Sequence, residues 1–306
     1  MRDVGTETID SVRGGPGGVR ERVKYFVAAY PITTLAILML IPLGMLFVFS
    51  FYRNISGGYY ESALILDNYV RFFTSDLYRG RLWFTLEISL VTTVVCLVVG
   101  YPLAYYLARL RNATLRSVLM IIVVSSLWIT YVIRAYAWTV LLSRNGLVNN
   151  AAIALGLYAD PISFVPGYWG LVIGMVYVFL PFMVLTIYGS VKNVDPTLYE
   201  ASKNLGAGPV TTFRRVTLPL SKNGIVGGSV LVFILALGAY VLPRLLGGPP
   251  EWTLPVIIAD QVLMESNVPF GAAMSIVLLV VVLVVLWLTV RFTGVSAAGL
   301  GGGEKR

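Results

Sequence analysis

Two groups of residues in this 306-residue chain carry side chains that could do chemistry. The first is a polar stretch at residues 195–219, reading DPTLYEASKNLGAGPVTTFRRVTLP. The second is a set of charged and aromatic residues inside or beside apolar runs: Glu87, Arg134, Trp138, Tyr240 and Asp260. The chain has no histidine, and its one cysteine, Cys96, lies in an apolar run. Because the commonest general base and transition-metal ligand is missing, we predict no catalytic residues and no metal site.

The composition is that of an integral membrane protein. Hydrophobic residues make up 57% of the chain and charged residues only 12%, whereas a soluble domain carries about 25% charged residues. Several apolar runs have the length of about twenty residues that a helix needs to cross a bilayer core. The net charge of +8 is typical of residues that fix membrane orientation, so we predict contact with lipid and none with nucleic acid.

The apolar pattern predicts an all-α protein with six transmembrane helices. The predicted spans are 32–51, 84–108, 118–142, 170–188, 225–246 and 272–290, within a permease domain at 26–292. A flexible polar tail is predicted at 1–25 and a second tail at 293–306. Short helices are predicted in two connections, around 67–73 and 147–155, and the connection at 247–269 is predicted to be a loop that is partly re-entrant around 254–264.

The basic residues predict the orientation. Sixteen Lys and Arg residues fall before the first predicted span, after the last one, and in the connections at 109–116 and 191–222, against five in the connections on the other side. Lys and Arg accumulate on the cytoplasmic side of bacterial membrane proteins. We therefore predict a protein of the bacterial inner membrane, with both termini and residues 195–219 in the cytoplasm.

The polar stretch has the local signals of a helical hairpin. Asp195 is a good N-cap and Pro196 a good first-turn residue, so a helix is predicted to start there. Gly206 is predicted to end it in a left-handed conformation. Pro209 would start a second helix and Pro219 would end it. By these signals alone, the hairpin is either a self-contained cytoplasmic loop or a docking surface for a partner.

The spacing within the stretch resembles the EAA loop of ABC importer permeases. Glu200-Ala201-Ser202 is followed after three residues by Gly206, and nine residues later by Val216 and then Leu218-Pro219. The two departures from the family pattern are Ser202 for alanine and Val216 for isoleucine. The resemblance implies a type I ABC importer permease fold, in which the first helix of this loop couples the permease to an ATPase subunit.

Three further segments resemble the permeases of spermidine/putrescine-type importers, in particular the first of the two permeases in such systems. They read GYPLAYYLAR from Gly100, IRAYAWTVLLSRNGLVN from Ile133 and LGAYVLPRLLGGP from Leu237. Ala239 stands where some members carry an acidic residue. The resemblance implies transport of a polyamine or similar small organic cation. It also implies three kinds of partner: a second permease of similar fold, two ATPase subunits and an extracytoplasmic substrate-binding protein.

Nucleotide chemistry must then reside in the partners. The chain lacks the GxxxxGK[ST] pattern that cradles nucleotide phosphates, so we predict no cofactor here and expect ATP and Mg²⁺ on the ATPase subunits.

Charged residues in spans are costly in lipid and are candidates for the substrate path. Arg134 and Glu87 fit this description, although each could equally be a structural ion pair or extend to the membrane interface. Trp138 lies near Arg134, and Tyr240 precedes Pro243 in a glycine-rich span, where it could line a cavity. Asp260, in an outer connection, could receive a cation from the delivery protein.

Three alternatives differ in what they require. An ABC permease for another small solute would keep the docking loop and change only the path. An ion-coupled secondary transporter would carry interrupted helices in internal repeats and need no docking loop. An intramembrane enzyme would need a catalytic set that this composition does not supply.

Overall fold

The computed structural model describes residues 17–55, 59–157 and 159–293. Contacts divide the chain into two units, Met1–Phe49 and Ser50–Arg306. The described part of the first unit is one helix, α1 (Gly17–Phe49), which contains Pro31 and Pro42. The helix includes residues 17–25, which belong to the predicted flexible tail at 1–25. Arg, Glu and Lys in this segment are good helix formers, so they extend the apolar helix instead of ending it. Residues 1–16 of that tail lie outside the described residues, as do residues 294–306 of the predicted tail at 293–306.

The second unit opens with a small antiparallel hairpin of β1 (Arg53–Ile55) and β2 (Tyr59–Glu61). Arg53 pairs with Glu61 across it. The sequence analysis predicted no strand, so the all-α description is corrected here. The intervening residues are Ser-Gly-Gly, a composition that favours tight turns. The predicted connecting helix follows as α2 (Asp67–Thr74).

Three long helices form the core of this unit: α3 (Asp76–Arg109), α7 (Tyr168–Lys192) and α11 (Lys222–Leu237). They pack against one another in all three pairings. Ile88, Leu107, Met175, Met183 and Val232 are fully buried where they meet. Many large apolar side chains outside this core are exposed. The surface of the unit is therefore apolar, as a surface in contact with lipid must be.

The predicted third span is broken in the structure. It consists of α4 (Ala113–Trp128) and α5 (Tyr131–Leu141), whose axes differ by 98°. No proline or glycine marks the break at Ile129–Thr130, which is why a single helix was expected over 118–142. The inner face of α5, with Arg134 and Ala135 buried, packs against α7 and α12.

The predicted fifth span is also interrupted. Helix α11 ends at Leu237, and α12 (Val241–Leu246) begins three residues after Gly238. Pro243 lacks the N–H that a continuous helix would bond, and its ring would collide with the carbonyl of Ala239, four residues earlier. The glycine and the proline together account for this break.

The remaining helices lie in connections or at the end of the chain. They are α6 (Leu147–Ala154), α8 (Pro196–Asn204), α9 (Pro209–Thr212), α10 (Leu218–Leu220), α13 (Leu254–Leu263) and α14 (Val268–Thr293). Within the described residues, 3 helices are long and apolar enough to cross a membrane: α3, α7 and α14. Up to 5 spans result if two bent pairs each count as one, namely α4 with α5 and the segment Pro209–Leu220 with α11, whose axes differ by 63°.

Candidate docking loop and membrane cavity

The cytoplasmic loop begins with the capped helix α8. The Asp195 carboxylate accepts a hydrogen bond from the Thr197 backbone N–H at 2.9 Å, and Pro196 fills the first helical position. These hydrogen bonds favour the ionised carboxylate and lower the pKa of Asp195. A carboxyl group with a lowered pKa in the folded state contributes stability above its unfolded pKa and loses that contribution as the pH falls. The cap is therefore fully formed at neutral pH.

Gly206 ends α8 in the left-handed conformation that the sequence predicted, with φ = +76°. Its N–H donates to the Lys203 carbonyl at 2.9 Å, and the N–H of Ala207 donates to the Ser202 carbonyl at 3.0 Å. This pair of bonds is the Schellman arrangement, which turns the chain sharply at the end of a helix.

The second arm of the loop continues further than predicted. After α9, residues Phe213–Thr217 form a π-helical segment, and α10 carries the helix through Pro219 to Leu220. The sequence analysis ended this helix at Pro219. The N–H of Leu218 donates to the Phe213 carbonyl, five residues earlier. The wider turn just before the proline is where the hydrogen-bond ladder accommodates its missing N–H.

Side-chain contacts fix the two arms to each other. Ser202 Oγ and Thr212 Oγ1 are 2.9 Å apart and buried. An alanine at position 202, as in the EAA pattern, could not make this bond. The departure from the pattern thus replaces an apolar contact with a hydrogen bond across the hairpin.

The loop is also fixed to the end of α3. The Arg109 guanidinium lies 3.7 Å from the centre of the Tyr199 ring, an arrangement that cation–π attraction stabilises. Phe213 contacts the rings of Tyr101 and Tyr105 at centroid distances of 5.6 and 5.3 Å. The sequence analysis missed these anchoring residues, because they come from parts of the chain about a hundred residues apart and have no local signal.

The other side of the loop is open. Glu200 and Ala201 are exposed, as are Leu218 and Pro219. Leu198 and Leu205 expose 42% and 88% of their surface. We call Leu198, Glu200, Ala201 and Leu205 the docking face. Apolar side chains clustered on an exposed surface beside a charge are typical of an interaction site.

The two breaks in the spans border one cavity of about 380 Å³. Its walls come from the start of α5, the middle of α7, and the segment between α11 and α12. The lining includes two residues predicted for the substrate path, Arg134 and Tyr240, together with Tyr131, Phe179 and Phe182. Arg134 is only 7% exposed, and its Nε and Nη1 atoms are buried without a hydrogen-bond partner.

The other predicted path residues lie elsewhere. Trp138 packs edge-on against Tyr177, with ring centres 5.2 Å apart. Asp260 forms an ion pair with Arg244 at 3.0 Å, and the Arg244 guanidinium stacks 4.5 Å from the Trp252 ring centre. Its carboxylate is therefore already neutralised within the chain.

Glu87 lines a second cavity, of about 530 Å³, with Trp83, Leu86, Leu90 and Phe233. Its carboxylate lies 3.4 Å from the Tyr168 hydroxyl, which donates to it. The predicted path residues thus divide among two cavities and two packed pairs. Among the residues that the structure describes, no three His, Cys, Asp or Glu side chains cluster as a metal site would require.

Comparison with known proteins agrees with this description. Residues 97–293 match the model of the family described as binding-protein-dependent transport system inner membrane component. The chain is 31% identical over 273 residues to the spermidine/putrescine transport system permease protein PotB of Haemophilus influenzae, covering 89% of this chain and 95% of that protein. It is 34% identical over 256 residues to PotB of Escherichia coli, covering 83% and 92%.

A solved structure shares the fold. One chain of a bacterial alginate ABC transporter, crystallised in complex with an alginate pentasaccharide-bound periplasmic protein, superposes with a TM-score of 0.69 at 21% identity. The match covers 89% of this chain and 95% of that one. This membrane protein belongs to the family of binding-protein-dependent transport system inner membrane components.

Proposed function

We propose that this chain is one of two permease subunits of an ABC importer for a polyamine or similar small organic cation. The observation that carries the proposal is the docking loop. A capped helix with exposed apolar side chains is fixed to α3 by the contact of Arg109 with Tyr199 and by the contacts of Phe213. The family membership and the EAA spacing support the same role, and the chain itself is non-catalytic.

The proposed topology has six spans and two cytoplasmic termini. It counts α3, α7 and α14, the bent pair α4–α5, the apolar helix α11 and the shorter apolar helix Thr33–Phe49. The sixteen-to-five distribution of Lys and Arg supports the orientation. In this arrangement the docking loop faces the cytoplasm, on the same side as the ATPase subunits.

Transport would follow alternating access. Closure of the two ATPase subunits around ATP would move α8, and the contact between Arg109 and Tyr199 would transmit that movement to α3. Because α3 packs on both α7 and α11, a shift of one helix changes the walls of both cavities. Rigid-body movements of this kind are a common form of conformational switching. An extracytoplasmic binding protein would deliver the solute, as the periplasmic protein in the alginate transporter complex suggests by analogy.

The choice of a polyamine rests on the named relatives and on the cavity at Glu87. That cavity is lined by the Glu87 carboxyl side chain together with two aromatic side chains, Trp83 and Phe233. Ammonium groups bind well to aromatic faces, and a carboxylate adds a direct counter-charge. The main alternative, an ABC permease for a different small solute, would share the docking loop and differ only here.

Uptake by the reconstituted complex tests the substrate. We expect vesicles containing this chain, its second permease, the ATPase and the binding protein to accumulate labelled spermidine or putrescine only when ATP is supplied. Glu87→Gln removes the charge at constant size and should raise the half-saturating concentration. A binding protein that holds no polyamine, together with vesicles that accumulate none, would exclude this substrate class while leaving the coupling role intact.

Leu205→Asp tests the docking face directly. Leu205 is 88% exposed, so the change should leave the fold of the chain unaltered. The change both removes an apolar contact and places a charge in the interface, so a cost of about 2 kcal/mol is expected if Leu205 is among the few energetically dominant contacts, and ATPase co-purification should then fall by about tenfold or more. Leu64, which is 86% exposed outside the loop, provides a matched control as Leu64→Asp. Equal ATPase binding by the two variants would argue against the docking face.

A further inference from the structure

Arg134 carries a charge that nothing in the described chain neutralises. It lies one turn into α5, only 7% exposed, and two of its three guanidinium nitrogens are buried without a hydrogen bond. The described residues contain two ion pairs, Arg79–Asp76 and Arg244–Asp260, and Arg134 belongs to neither. Arg244 is the natural comparison, since it is the other arginine at span level and it does have a carboxylate partner.

Neither of the two purely structural explanations for an arginine in a span, an ion pair within the chain or extension to the membrane interface, fits Arg134. A structural ion pair would show a carboxylate within 4 Å, and none is present in the described residues. Extension to the membrane interface would leave the guanidinium exposed, whereas α5 turns it inward against α7 and α12. An unpaired charge in this position is costly, because lipid and the protein interior solvate it poorly.

The cavity around Arg134 is electropositive. The N-terminus of the 11-residue helix α5 adds a partial positive charge to that of Arg134. The side chain of Thr130, at the N-cap, accepts no hydrogen bond from the first backbone N–H groups of this helix. The named walls otherwise consist of aromatic and aliphatic side chains and glycine, with no carboxylate among them. Tyr240 at the rim is 38% exposed, so the cavity can be reached from outside the chain.

We propose that this cavity receives a carboxylate side chain of the second permease subunit, which pairs with Arg134 across the subunit interface. The inference rests on the proposed function, because it requires that second subunit. A polyamine has no carboxylate of its own to offer. A buried, uncompensated guanidinium beside the path would also repel a cationic solute, and a carboxylate from the partner removes that barrier.

The pairing gives the breaks in α4–α5 and α11–α12 a common purpose. Together they line one pocket at the level of the spans, in which a polar contact would be kept away from lipid. Irregular backbone is tolerated at that depth where it is buried in protein or lines a cavity. A single ion pair in such a pocket would also fix the register of the two subunits, since no other docking of the permeases would satisfy both charges.

Charge reversal in the intact complex tests the proposal. We expect Arg134→Ala to reduce co-purification of the second permease by about tenfold or more, and Arg134→Lys to retain most of it. Arg144→Ala, at an exposed position ten residues further on, is the matched control and should behave as wild type. Arg134→Glu is then combined in turn with an Arg replacement of each acidic residue in the spans of the second permease. One combination should restore both assembly and ATP-driven uptake, which a merely misfolded variant could not do.

Three results would overturn the inference. One is undiminished assembly of the Arg134→Ala complex. A second is loss of assembly that no charge reversal in the second permease restores. If carboxylate-bearing solutes stabilise the wild-type complex against heating and do not stabilise Arg134→Ala, the carboxylate comes from the solute and the inter-subunit pair is wrong. The assembly readout needs no substrate. Failure of polyamine uptake in a complex that charge reversal rescues would therefore count against the proposed substrate alone.

Discussion

Replacement of Gly206 by valine is expected to lower ATP-driven uptake by about tenfold or more while leaving the membrane helices folded. Gly206 has φ = +76°, and a Cβ built there meets no atom within 4 Å. The obstacle is therefore the backbone conformation and not a collision. A side chain in the left-handed region costs about 1–2 kcal/mol, which corresponds to about a tenfold loss of the native turn, and a β-branched residue should cost more. Loss of the turn releases α8 from its orientation on the ATPase.

A graded series separates this cause from a general effect of mutating the loop. Asparagine tolerates the left-handed conformation better than other residues with a Cβ, so Gly206→Asn should retain more uptake than Gly206→Ala, and alanine more than valine. Gly208→Val is the matched control, because Gly208 has φ = −71° and equally open surroundings. Uptake and ATP turnover would be measured together in vesicles. If Gly206→Val and Gly208→Val transported equally well, the turn would not be part of the coupling device.

The docking loop could be predicted closely from sequence because its determinants are local. Asp195, Gly206 and Pro209 each fix a helix end within a few residues of themselves, and all three act as expected. What fixes the loop to the membrane domain could not be predicted. Arg109 reaches Tyr199 only through the tertiary fold, and Ser202 looked like a small-residue substitution until its bond to Thr212 was visible.

The candidate cavity shows the opposite limit. Arg134 could be singled out from sequence, because a charge in a span is conspicuous. The absence of a partner for Arg134 could not be predicted. No glycine or proline marks the break at Ile129–Thr130, and the position of Arg134 depends on how α5 packs on α7 and α12. The partner of Asp260 was missed for a similar reason: Arg244 is sixteen residues away, and the connection between α12 and α13 brings the two together.

Replacement of Gly224 by leucine is expected to prevent stable folding of the membrane domain. Gly224 and Gly228 lie one turn apart on α11, on the face that packs against α7. A Cβ at Gly224 would collide with Ser190 and come within 3.0 Å of the Thr186 carbonyl oxygen, and one at Gly228 would lie 3.0 Å from the Met183 sulfur. Small residues four apart are what permit such close helix contact in lipid, where no hydrophobic force draws helices together.

The expected cost grows with side-chain size. Gly224→Ala should destabilise the domain by about 1–3 kcal/mol, the usual range for overpacking, and leucine should exceed it because two backbones would have to separate. Gly189→Leu on the facing helix is the matched control, since a Cβ there meets nothing within 4 Å. The yield of monodisperse protein after detergent extraction and its melting temperature would report the difference. Gly224→Ala combined with Ser190→Gly should recover part of the loss, because it removes the colliding side chain and leaves the Thr186 carbonyl. Equal melting of Gly224→Leu and Gly189→Leu would mean that the α7–α11 contact is looser than this geometry requires.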